Sequence, residues 1–515
     1  MVPPGVHCAP GAGHSGDDRA RRRSTHTRTV AVVTDVLVIG AGPTGLTAAL
    51  ELARRGVHVR IIDRSDGPFE GSRGKGVTAR TQEVFDDLGI ADRLVESGFR
   101  HLPVRVTSSG EIRSDEDPLA AAVPTADRPY ESGLLLPQWR TEQILRDRLG
   151  EFGIHVEYGL AATSVEQQGE HVEVTSGGTA EQVRYVIACT GGRSDARDWI
   201  GATFEGHGGP QALLIADVRV DGLTPDRWYQ WNHPERGFVA LCPFRCTDIW
   251  QFQGALWSWF VDGTDLPEPS LPRLQDAIDT VAGDGIRLSA PAWTSRWRVN
   301  VRLADRFRSD RVFLAGDAAH VHSPAGGLGM NTGIQDAYNL GWKIAAVLAG
   351  ADAALLDTYA EERIPVAQWT LGVSNRGLEE MAGNMTSADA THFITPQEDG
   401  QQLAIGYRWS RLSVETDGFA ARGGPLRAGD RAPDGAYGRE TFFDAFRGPH
   451  ATVIAVGTDE PLPSPTERLA VLRTPSAPTY TPTDGLFVVR PDGYVGFAGV
   501  PGDGSALREY AAVFA

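Results

Sequence analysis

Three glycines at a fixed spacing constrain the fold of this 515-residue chain more than any other feature. Gly40, Gly42 and Gly45 follow the apolar run 36–39, and such an unbroken run is typical of a parallel strand that is covered on both faces. In a strand–turn–helix unit of this kind, one glycine permits the tight turn, one lets backbone amides approach a pyrophosphate, and one lets the helix pack closely. The spacing therefore predicts a phosphate-binding site where the following helix begins.

A helix and a second strand complete this unit. Apolar residues recur at helical spacing from Pro43 to Arg55, and the strand 57–62 ends at Asp63, 18 residues after Gly45. A carboxylate at that strand end can accept hydrogen bonds from both hydroxyls of an adenosine ribose. The unit therefore predicts a dinucleotide-binding site, and it leaves the identity of the dinucleotide open.

Length and charge restrict the partners that the chain can have. At 515 residues it is too long for one hydrophobic core, which predicts roughly two to four domains. Its apolar content of 41% and charged content of 22% are those of an ordinary soluble globular protein. The formal net charge of −17 argues against nucleic acid and against a membrane surface as partners, which leaves small molecules or other proteins.

The cysteines indicate a reducing compartment. Cys8, Cys189, Cys242 and Cys246 form no CxxC pair and have no metal-ligand spacing, so neither a disulfide framework nor a metal site is expected. No apolar stretch reaches transmembrane length, and a cytoplasmic location is expected. The first 33 residues, rich in Gly, Arg, His and Pro, are expected to form a disordered tail.

Two polar segments beside the dinucleotide unit could contact a ligand. A glycine-rich loop after the second strand carries Arg73 and Lys75, which could contact a phosphate or swing over a ligand, or could simply be solvated. The stretch 134–149 predicts an amphipathic helix capped by Thr141, with Gln138 just before its start. Gln138 is therefore placed where a ligand at a sheet edge would lie.

Short aromatic-rich runs between about 205 and 290 predict an antiparallel sheet. Aromatic residues on a sheet belong to the core more often than to a ligand wall, but a sheet inserted between pieces of a nucleotide-binding domain can hold a flat apolar substrate. The candidate substrate-binding residues are Trp231, Phe238, Phe252, Trp257 and Pro324.

A second nucleotide-contacting region is indicated at 311–348. A buried strand ends at Gly316-Asp317, and a Pro/Gly-rich loop leads into a helix whose first free amides lie around Leu328 to Asn331. The positive end of that helix favours developing negative charge, such as that on the N1 and C2 carbonyl of a reduced flavin. Asp317 could accept a ribityl hydroxyl or could be a helix cap.

Five motifs together resemble the FAD-dependent aromatic hydroxylases of the para-hydroxybenzoate hydroxylase class. Within that class the chain is most similar to the hydroxylases that tailor aromatic polyketides such as angucyclines, and the resemblance covers about 34–515. The motifs are GAGPTG at 40–45, SRGKGVTARTQEVFDDLGI at 72–90, PQWRTEQIL at 137–145, CTGGRS at 189–194 and GDAAHVHSPAGGLGMNTGIQDAYNLGWK at 316–343.

The resemblance implies an α/β fold in three parts, namely a Rossmann-like, glutathione-reductase-like FAD-binding domain, an inserted antiparallel-sheet substrate domain and a thioredoxin-like C-terminal domain without redox cysteines. The implied boundaries are 34–100, 133–204 and 291–370 for the FAD-binding domain, 101–132 and 205–290 for the substrate domain, 371–422 for a helical connection, and 423–515 for the C-terminal domain.

The same resemblance implies which residues hold FAD. Each is placed by its match to a family motif. The pyrophosphate would lie on Gly40, Gly42, Thr44 and Gly45, the adenosine ribose on Asp63 and Arg64, the pyrophosphate and ribityl chain also on Arg73, Gln138 and Asp317, and the isoalloxazine on the helix start at Leu328, Gly329, Met330 and Asn331. The family usually has glutamate where this chain has Asp63.

The implied reaction is hydroxylation of a planar, polycyclic aromatic polyketide of the angucycline or anthraquinone type, in antibiotic biosynthesis. NADH or NADPH would reduce FAD, and dioxygen would form a flavin C4a-hydroperoxide. Because the flavin carries out the oxidation, no catalytic side chain is assigned, and His320 and His322 are expected to be structural. A homodimer is compatible with the sequence, which leaves the oligomeric state open.

Other activities remain as alternatives. Baeyer–Villiger oxygenation or oxidative cleavage of a fused-ring polyketide uses the same cofactor, and the sequence does not separate it from hydroxylation. Thr190 replaces the aspartate of the family's Asp-Gly pair, which leaves open an FAD-binding carrier without hydride transfer. A flavin-dependent halogenase is disfavoured because Trp257-Ser258-Trp259 is not followed by Ile-Pro.

Overall fold

The computed structural model describes residues 34–118, 123–130, 132–263, 266–323, 327–387, 389, 398–424 and 426–514. Within them no helix is both long and apolar enough to cross a membrane. The strands are β1 (Val36–Ile39), β2 (Val59–Ile62), β3 (Gly76–Val77), β4 (Val104–Ser108), β5 (Glu111–Glu116), β6 (Leu134–Leu135), β7 (Ala162–Gln168), β8 (His171–Ser176), β9 (Thr179–Val183), β10 (Tyr185–Ala188), β11 (Phe204–Asp221), β12 (Trp228–His233), β13 (Gly237–Pro243), β14 (Ile249–Leu256), β15 (Arg287–Ala304), β16 (Arg308–Ser309), β17 (Val312–Leu314), β18 (His320–Val321), β19 (Val414–Glu415), β20 (Ala436–Tyr437), β21 (Glu440–Thr441), β22 (Ala451–Val456), β23 (Leu469–Thr474), β24 (Gly485–Val489) and β25 (Val495–Gly499). The α-helices are α1 (Pro43–Ala53), α2 (Ala79–Asp87), α3 (Ala91–Ser97), α4 (Gln138–Glu151), α5 (Ala196–Trp199), α6 (Leu271–Val281), α7 (Leu328–Leu348), α8 (Asp357–Thr386), α9 (Asp417–Ala420), α10 (Phe442–Phe446) and α11 (Gly504–Ala511).

The predicted nucleotide-binding unit forms the centre of a five-stranded sheet in the order β16-β17-β10-β1-β2. Strands β17, β10, β1 and β2 are parallel, and β16 is antiparallel at the edge. All four residues of β1 are buried, as its unbroken apolar run predicts, and helix α1 packs against α7. The strand–turn–helix–strand prediction is confirmed, and it places the carboxyl ends of β1, β2, β10 and β17 at one edge of the sheet.

The predicted antiparallel sheet is confirmed and is larger than expected. It has eight strands in the order β18-β15-β11-β14-β13-β12-β4-β5. Strands β4 and β5 join it from the segment before α4, through a parallel pairing of β12 with β4, and β15 continues to Ala304. One face of the sheet packs on α6, and the other turns towards the nucleotide-binding unit.

The C-terminal segment forms its own mixed sheet in the order β19-β25-β24-β22-β23. Strand β22 pairs with β23 in parallel and with β24 in the antiparallel direction. Every residue of β22 and β24 is buried, and Gly493, with φ +75°, takes the left-handed conformation in the turn between β24 and β25. The assignment of this sheet to the thioredoxin-like class stays a prediction.

The start of helix α4 differs from the expectation. Helix α4 begins at Gln138, and its N-cap is Pro137, so Thr141 lies inside the first turn instead of capping the helix. The fixed φ of proline suits a helix start, and this explains why the helix begins four residues earlier than a cap at Thr141 predicts. Gln138 is therefore part of the helix and belongs to its first turn.

A buried cluster of charges joins the C-terminal sheet to helices α7 and α8. Glu362 accepts hydrogen bonds from Lys343 at 2.7 Å and from Arg490 at 2.7 and 2.9 Å, and Arg490 also pairs with Asp492. The side chains of Lys343, Glu362 and Arg490 are fully buried. Burial alone would raise the pKa of Glu362, but Arg490 and Lys343 hold it well below its ordinary value.

Replacement of Glu362 by glutamine is expected to lower the free energy of unfolding by about 3 kcal/mol, because the buried Lys343 loses its paired carboxylate and the buried Arg490 keeps only Asp492. The folded-state pKa of Glu362 lies below its unfolded value of 4.5, so this stabilisation is present above pH 4.5 and is lost as the pH falls below it. Urea denaturation of wild type and Glu362→Gln at neutral and acidic pH measures both effects.

The neighbouring Glu361 supplies a matched control. Its carboxylate pairs with Arg411, whose side chain is 59% exposed, and the loss of such a surface pair costs less than about 1 kcal/mol. Equal destabilisation by Glu361→Gln and Glu362→Gln would contradict the assigned role of the buried cluster.

Candidate functional site

The three glycines occupy the roles that their spacing predicts. Gly40 has φ +105°, and a side-chain carbon there would collide with the carbonyl of Cys189 on β10. A side-chain carbon on Gly45 would collide with the carbonyl of Gly40, so α1 packs directly on the turn. Gly42, the N-cap of α1, has open space in front of it. The free amides of α1 therefore face an open cradle that suits a phosphate.

Asp63 ties the end of β2 to this turn. One carboxylate oxygen accepts from the amide of Ala41 at 2.7 Å, and the other accepts from the amide and hydroxyl of Ser65 at 2.8 and 2.6 Å. Each carboxylate oxygen has two acceptor sites, so the oxygen that faces Ala41 keeps one for a ligand hydroxyl. Arg64 follows on the exposed rim of the same cavity.

Thr44 brings the two predicted nucleotide-contacting regions together. A side-chain carbon on Gly316 or on Gly333 would collide with the hydroxyl of Thr44, so helix α1, the end of β17 and helix α7 meet at van der Waals distance. Asp317, next to Gly316, opens onto the same cavity as Gly42. The surrounding protein raises the pKa of Asp317 above its ordinary value.

The predicted flavin-contacting helix begins where expected. Helix α7 starts at Leu328, and Leu328, Gly329 and Met330 line the cavity. Asn331 is fully buried, and its amide donates to the carbonyls of Gly76 and Gly327 at 2.9 and 2.8 Å. Asn331 therefore fixes the helix start to β3, and it reaches a cofactor only through the backbone that it positions.

Gln138 holds the loop that carries Arg73. Its side-chain oxygen accepts from the amide of Gly74 at 3.1 Å, and its nitrogen donates to Glu142 at 2.9 Å. The guanidinium of Arg73 lies 5.9 Å from the ring centre of Trp293 on β15. Arg73 and Gln138 both line the cavity, and they link the nucleotide-binding unit to the large sheet.

These residues enclose one cavity of about 2090 Å³. A drug-sized ligand needs roughly 300–1,000 Å³, so the cavity has room for a dinucleotide and a second molecule. It runs from the glycine turn to one face of the eight-stranded sheet, where Leu213, Ile215, Phe238 and Trp297 line it. The wall on the sheet side is therefore largely apolar and partly aromatic.

The two faces of the sheet separate the candidate substrate residues. Phe238 lies on the cavity face, whereas Trp231 and Phe252 lie on the opposite face, in the core with Tyr229 and α6. The strand register explains this, because Trp231 pairs with Val239 and not with Phe238. Trp257 does not line the cavity but packs on the cluster that contains Phe238, and its indole N–H donates to the carbonyl of Pro234. Pro324 lies outside the described residues.

Two histidines form a polar chain that leads inward from the cavity. His322 lines the cavity and contacts His320 at 2.7 Å, and His320 contacts Asp336 at 2.5 Å. Asp336 also pairs with Arg363 at 2.7 Å. Burial, assisted by His320, lowers the pKa of His322 well below its ordinary value. These hydrogen-bonded side chains anchor the segment after β17 to α7, in agreement with the structural role expected for the two histidines.

Several cavity residues were not singled out from the sequence as ligand contacts on the sheet. Trp228, Gln230, Trp293 and Trp297 line the cavity. Lys75, which the sequence suggested as a ligand contact, lines it too, from the loop before β3. Side chains alternate between the two faces of a strand, so each strand offers two sets of residues that could face the cavity. Only the pairing of the strands shows which set lies on the same face as Phe238.

Comparison with known proteins agrees with this geometry. Residues 33–373 match the family model described as an FAD binding domain. A flavin-dependent monooxygenase of Mycobacteroides abscessus is 39% identical over 502 residues, which cover 93% of this chain and 99% of that protein. The 12-dehydrotetracycline 5-monooxygenase/anhydrotetracycline 6-monooxygenase of Streptomyces rimosus subsp. rimosus is 31% identical, over 92% of this chain and 96% of its own. The solved flavin-dependent monooxygenase PieE, in complex with FAD and substrate, shares the fold with a TM-score of 0.77 and 22% identity, over 94% of this chain and 99% of its own.

The cavity residues fit FAD. The open cradle at Gly42 suits the pyrophosphate, the carboxylates of Asp63 and Asp317 can accept hydroxyls of the ribose and ribityl chain, and the amides at the start of α7 suit an electron-rich ring. Three separate elements thus supply the three kinds of contact that FAD requires.

Replacement of Gly333 by alanine is expected to weaken FAD binding about tenfold, because the added methyl group forces Thr44 and Gly316 apart. FAD titration of the apoprotein, followed by flavin fluorescence, measures the change. Gly383→Ala is the matched control, since Gly383 lies in helix α8 with open space around it. Equal FAD affinity in the two variants would contradict the packing role of Thr44.

Proposed function

The chain belongs to the FAD binding domain family and is a flavin-dependent monooxygenase, and from that premise we propose that it hydroxylates a planar, fused-ring aromatic polyketide with NADH or NADPH as the reductant. The tetracycline-pathway relative supports a polyketide as the substrate class. We propose that this polyketide has an angucycline or anthraquinone skeleton.

The continuous cavity is the observation that carries this proposal. One end holds the glycine turn and Asp63, and the other end is walled by Phe238, Trp293 and Trp297. Aromatic side chains favour flat apolar ligands, because ring faces pack over a large area. The start of α7 lines the same cavity, so a cofactor ring there would share the cavity with a substrate on the sheet.

FAD, when bound, supplies the redox chemistry by accepting a hydride from the nicotinamide and passing electrons to dioxygen. The residues of the chain bind and orient the two molecules. Arg73 and Gln138 hold the loop over the cavity, and Trp293 closes it from the side of the sheet. The apolar wall keeps water away from the reacting atoms, which protects reactive species from hydrolysis.

Thr190 bears on the use of the nicotinamide. It lines the cavity at the end of β10, where its hydroxyl pairs with that of Ser194. The resembling family has aspartate at this position, so a carrier that binds FAD without hydride transfer is the second candidate function. Rapid reduction of FAD in the wild-type protein, unchanged in Thr190→Asp, would remove the reason for that candidate.

We also propose a cytoplasmic location, because Cys189, Cys242 and Cys246 are free thiols. Burial raises the pKa of the Cys189 thiol above its ordinary range and that of Cys242 to about 11, so both are unreactive at neutral pH. A homodimer stays a prediction.

The purified protein with FAD is expected to oxidise NADPH slowly alone and faster with a planar polyphenolic quinone. With isotope-labelled dioxygen, mass spectrometry should find one labelled oxygen atom in the product, and labelled water should give none. Resistance of the product to mild alkaline hydrolysis identifies a hydroxylated ring, whereas opening by base identifies the lactone of a Baeyer–Villiger reaction. Failure of every such quinone to stimulate NADPH oxidation would contradict the proposed function.

A further inference from the structure

Lysine is almost absent from this chain. Of the 49 basic residues only two are lysines, and arginine fills all the other positions. Lys343 belongs to the buried cluster with Glu362 and Arg490. Lys75 is the other, and it lines the cavity from the loop before β3. Lys75 therefore places a compact ammonium at the wall of a cavity whose arginines carry the planar guanidinium.

The surroundings of Lys75 leave part of its hydrogen-bonding capacity for a ligand. Its ammonium donates to the side-chain oxygen of Gln251 at 2.6 Å and lies 4.1 Å from the ring centre of Trp228. An ammonium has three N–H donors, and Gln251 takes one. Among the described residues Lys75 forms no ion pair within 4.0 Å, and Asp217 attracts its charge from a longer distance.

Strand register places Lys75 over a polar row on the cavity face. Asp217 pairs with Gln251 and Gln251 pairs with Cys242 across β11, β14 and β13, and Trp228 begins the neighbouring strand β12. Asp217 is fully buried, and Ser72 and Lys75 stabilise its carboxylate against the effect of burial. Burial lowers the pKa of Lys75 and raises that of Asp217 to about 7, which indicates that the row is largely shielded from water.

The next row across the sheet contains a polar side chain whose hydrogen bonding is incomplete. Gln230 is 4% exposed and lines the cavity, and its side-chain oxygen has no hydrogen-bond partner among the described residues. Ala240 and Gln253 are its neighbours in register, and the small side chain of Ala240 leaves space in front of the sheet. A buried acceptor without a donor is costly, so a donor on a ligand would relieve that cost.

We propose that Lys75 and Gln230 form a substrate-recognition site for a phenol or enol that carries two oxygens along one edge. The inference rests on the proposed function, since it names the chemical class of the aromatic substrate. Lys75 binds the ionised oxygen, and the side-chain oxygen of Gln230 accepts from the neighbouring hydroxyl. The ammonium of Lys75 lies against Trp228, and the backbones of Trp228 and Gln230, two residues apart on β12, are about 7 Å apart along the strand.

Such a site has a direct consequence for the reaction. An oxygen that binds as an anion donates electron density to its ring, and an electron-rich ring is the form that electrophilic oxygen transfer requires. Lys75 thereby acts on the substrate and not on the cofactor. A substrate without ionisable oxygens would meet an unpaired cation and an unpaired acceptor, and it would be rejected.

Binding of alizarin, a dihydroxyanthraquinone, to the FAD-bound protein without NADPH tests the proposal. The visible spectrum of alizarin distinguishes its neutral form from its ionised form. The wild-type protein is expected to bind alizarin in the ionised form at a pH where the free dye is neutral, and to bind unsubstituted anthraquinone at least tenfold more weakly. Lys75→Met should abolish the spectral shift and weaken alizarin binding about tenfold, whereas Lys75→Arg should retain part of both.

Gln230→Leu tests the second contact. It is expected to weaken alizarin binding several-fold and to leave the ionised spectrum in place, since Lys75 is intact. Trp231→Phe is the matched control, because Trp231 lies on the same strand but stacks on Tyr229 at the opposite face. Wild-type affinity and an ionised spectrum in Lys75→Met would overturn the proposal, as would equal binding of alizarin and anthraquinone to the wild-type protein.

A spectroscopic measurement separates this inference from the hydroxylase activity. Isotope-labelled lysine gives NMR signals from only two side chains, and Lys343 serves as the internal reference. The Lys75 signal should shift on addition of alizarin and not of anthraquinone, whether or not the protein turns alizarin over. An unmoved Lys75 signal in a protein that hydroxylates alizarin would overturn the proposed site and leave the proposed function standing.

Discussion

The contact of Thr44 with Gly316 and Gly333 is the constraint on which the rest of the site depends. Only glycine fits at the two facing positions, so α1, the end of β17 and the start of α7 meet without intervening side chains. This approach places the glycine turn, Asp317 and the free amides of α7 around one cavity. A nucleotide site and a ring site are thereby joined, although their residues are almost 300 positions apart in the chain.

Local patterns predicted most of the cofactor region. The apolar run before Gly40, the helical spacing after Pro43 and the helical spacing after Leu328 each determine backbone conformation within a few residues, and the structure has those elements. The predicted start of α4 was wrong, because threonine is a favoured capping residue whereas Pro137 has the backbone conformation of the N-cap. Such errors concern element ends, where several residues satisfy the same local rule.

The substrate wall was harder to predict, because it depends on long-range pairing. A shift of one residue moves a strand's whole set of side chains to the other face, and the register of β12 with β13 places Trp231 in the core and Gln230 at the cavity. Aromatic composition alone favoured Trp231 and Phe252. The wall also contains the polar residues Lys75 and Gln230. Their proposed role in substrate binding depends on their burial and incomplete hydrogen bonding, which only the structure shows.

We infer that FAD lies across two strand ends, with its ring between the start of α7 and the large sheet. A crystal structure of the protein grown with FAD tests this claim most directly. The account predicts the pyrophosphate against the amides around Gly42, the ribityl chain beside Asp317, and the flavin ring against Leu328 to Met330. A flavin bound elsewhere, or protein crystals that remain colourless in the presence of FAD, would contradict it.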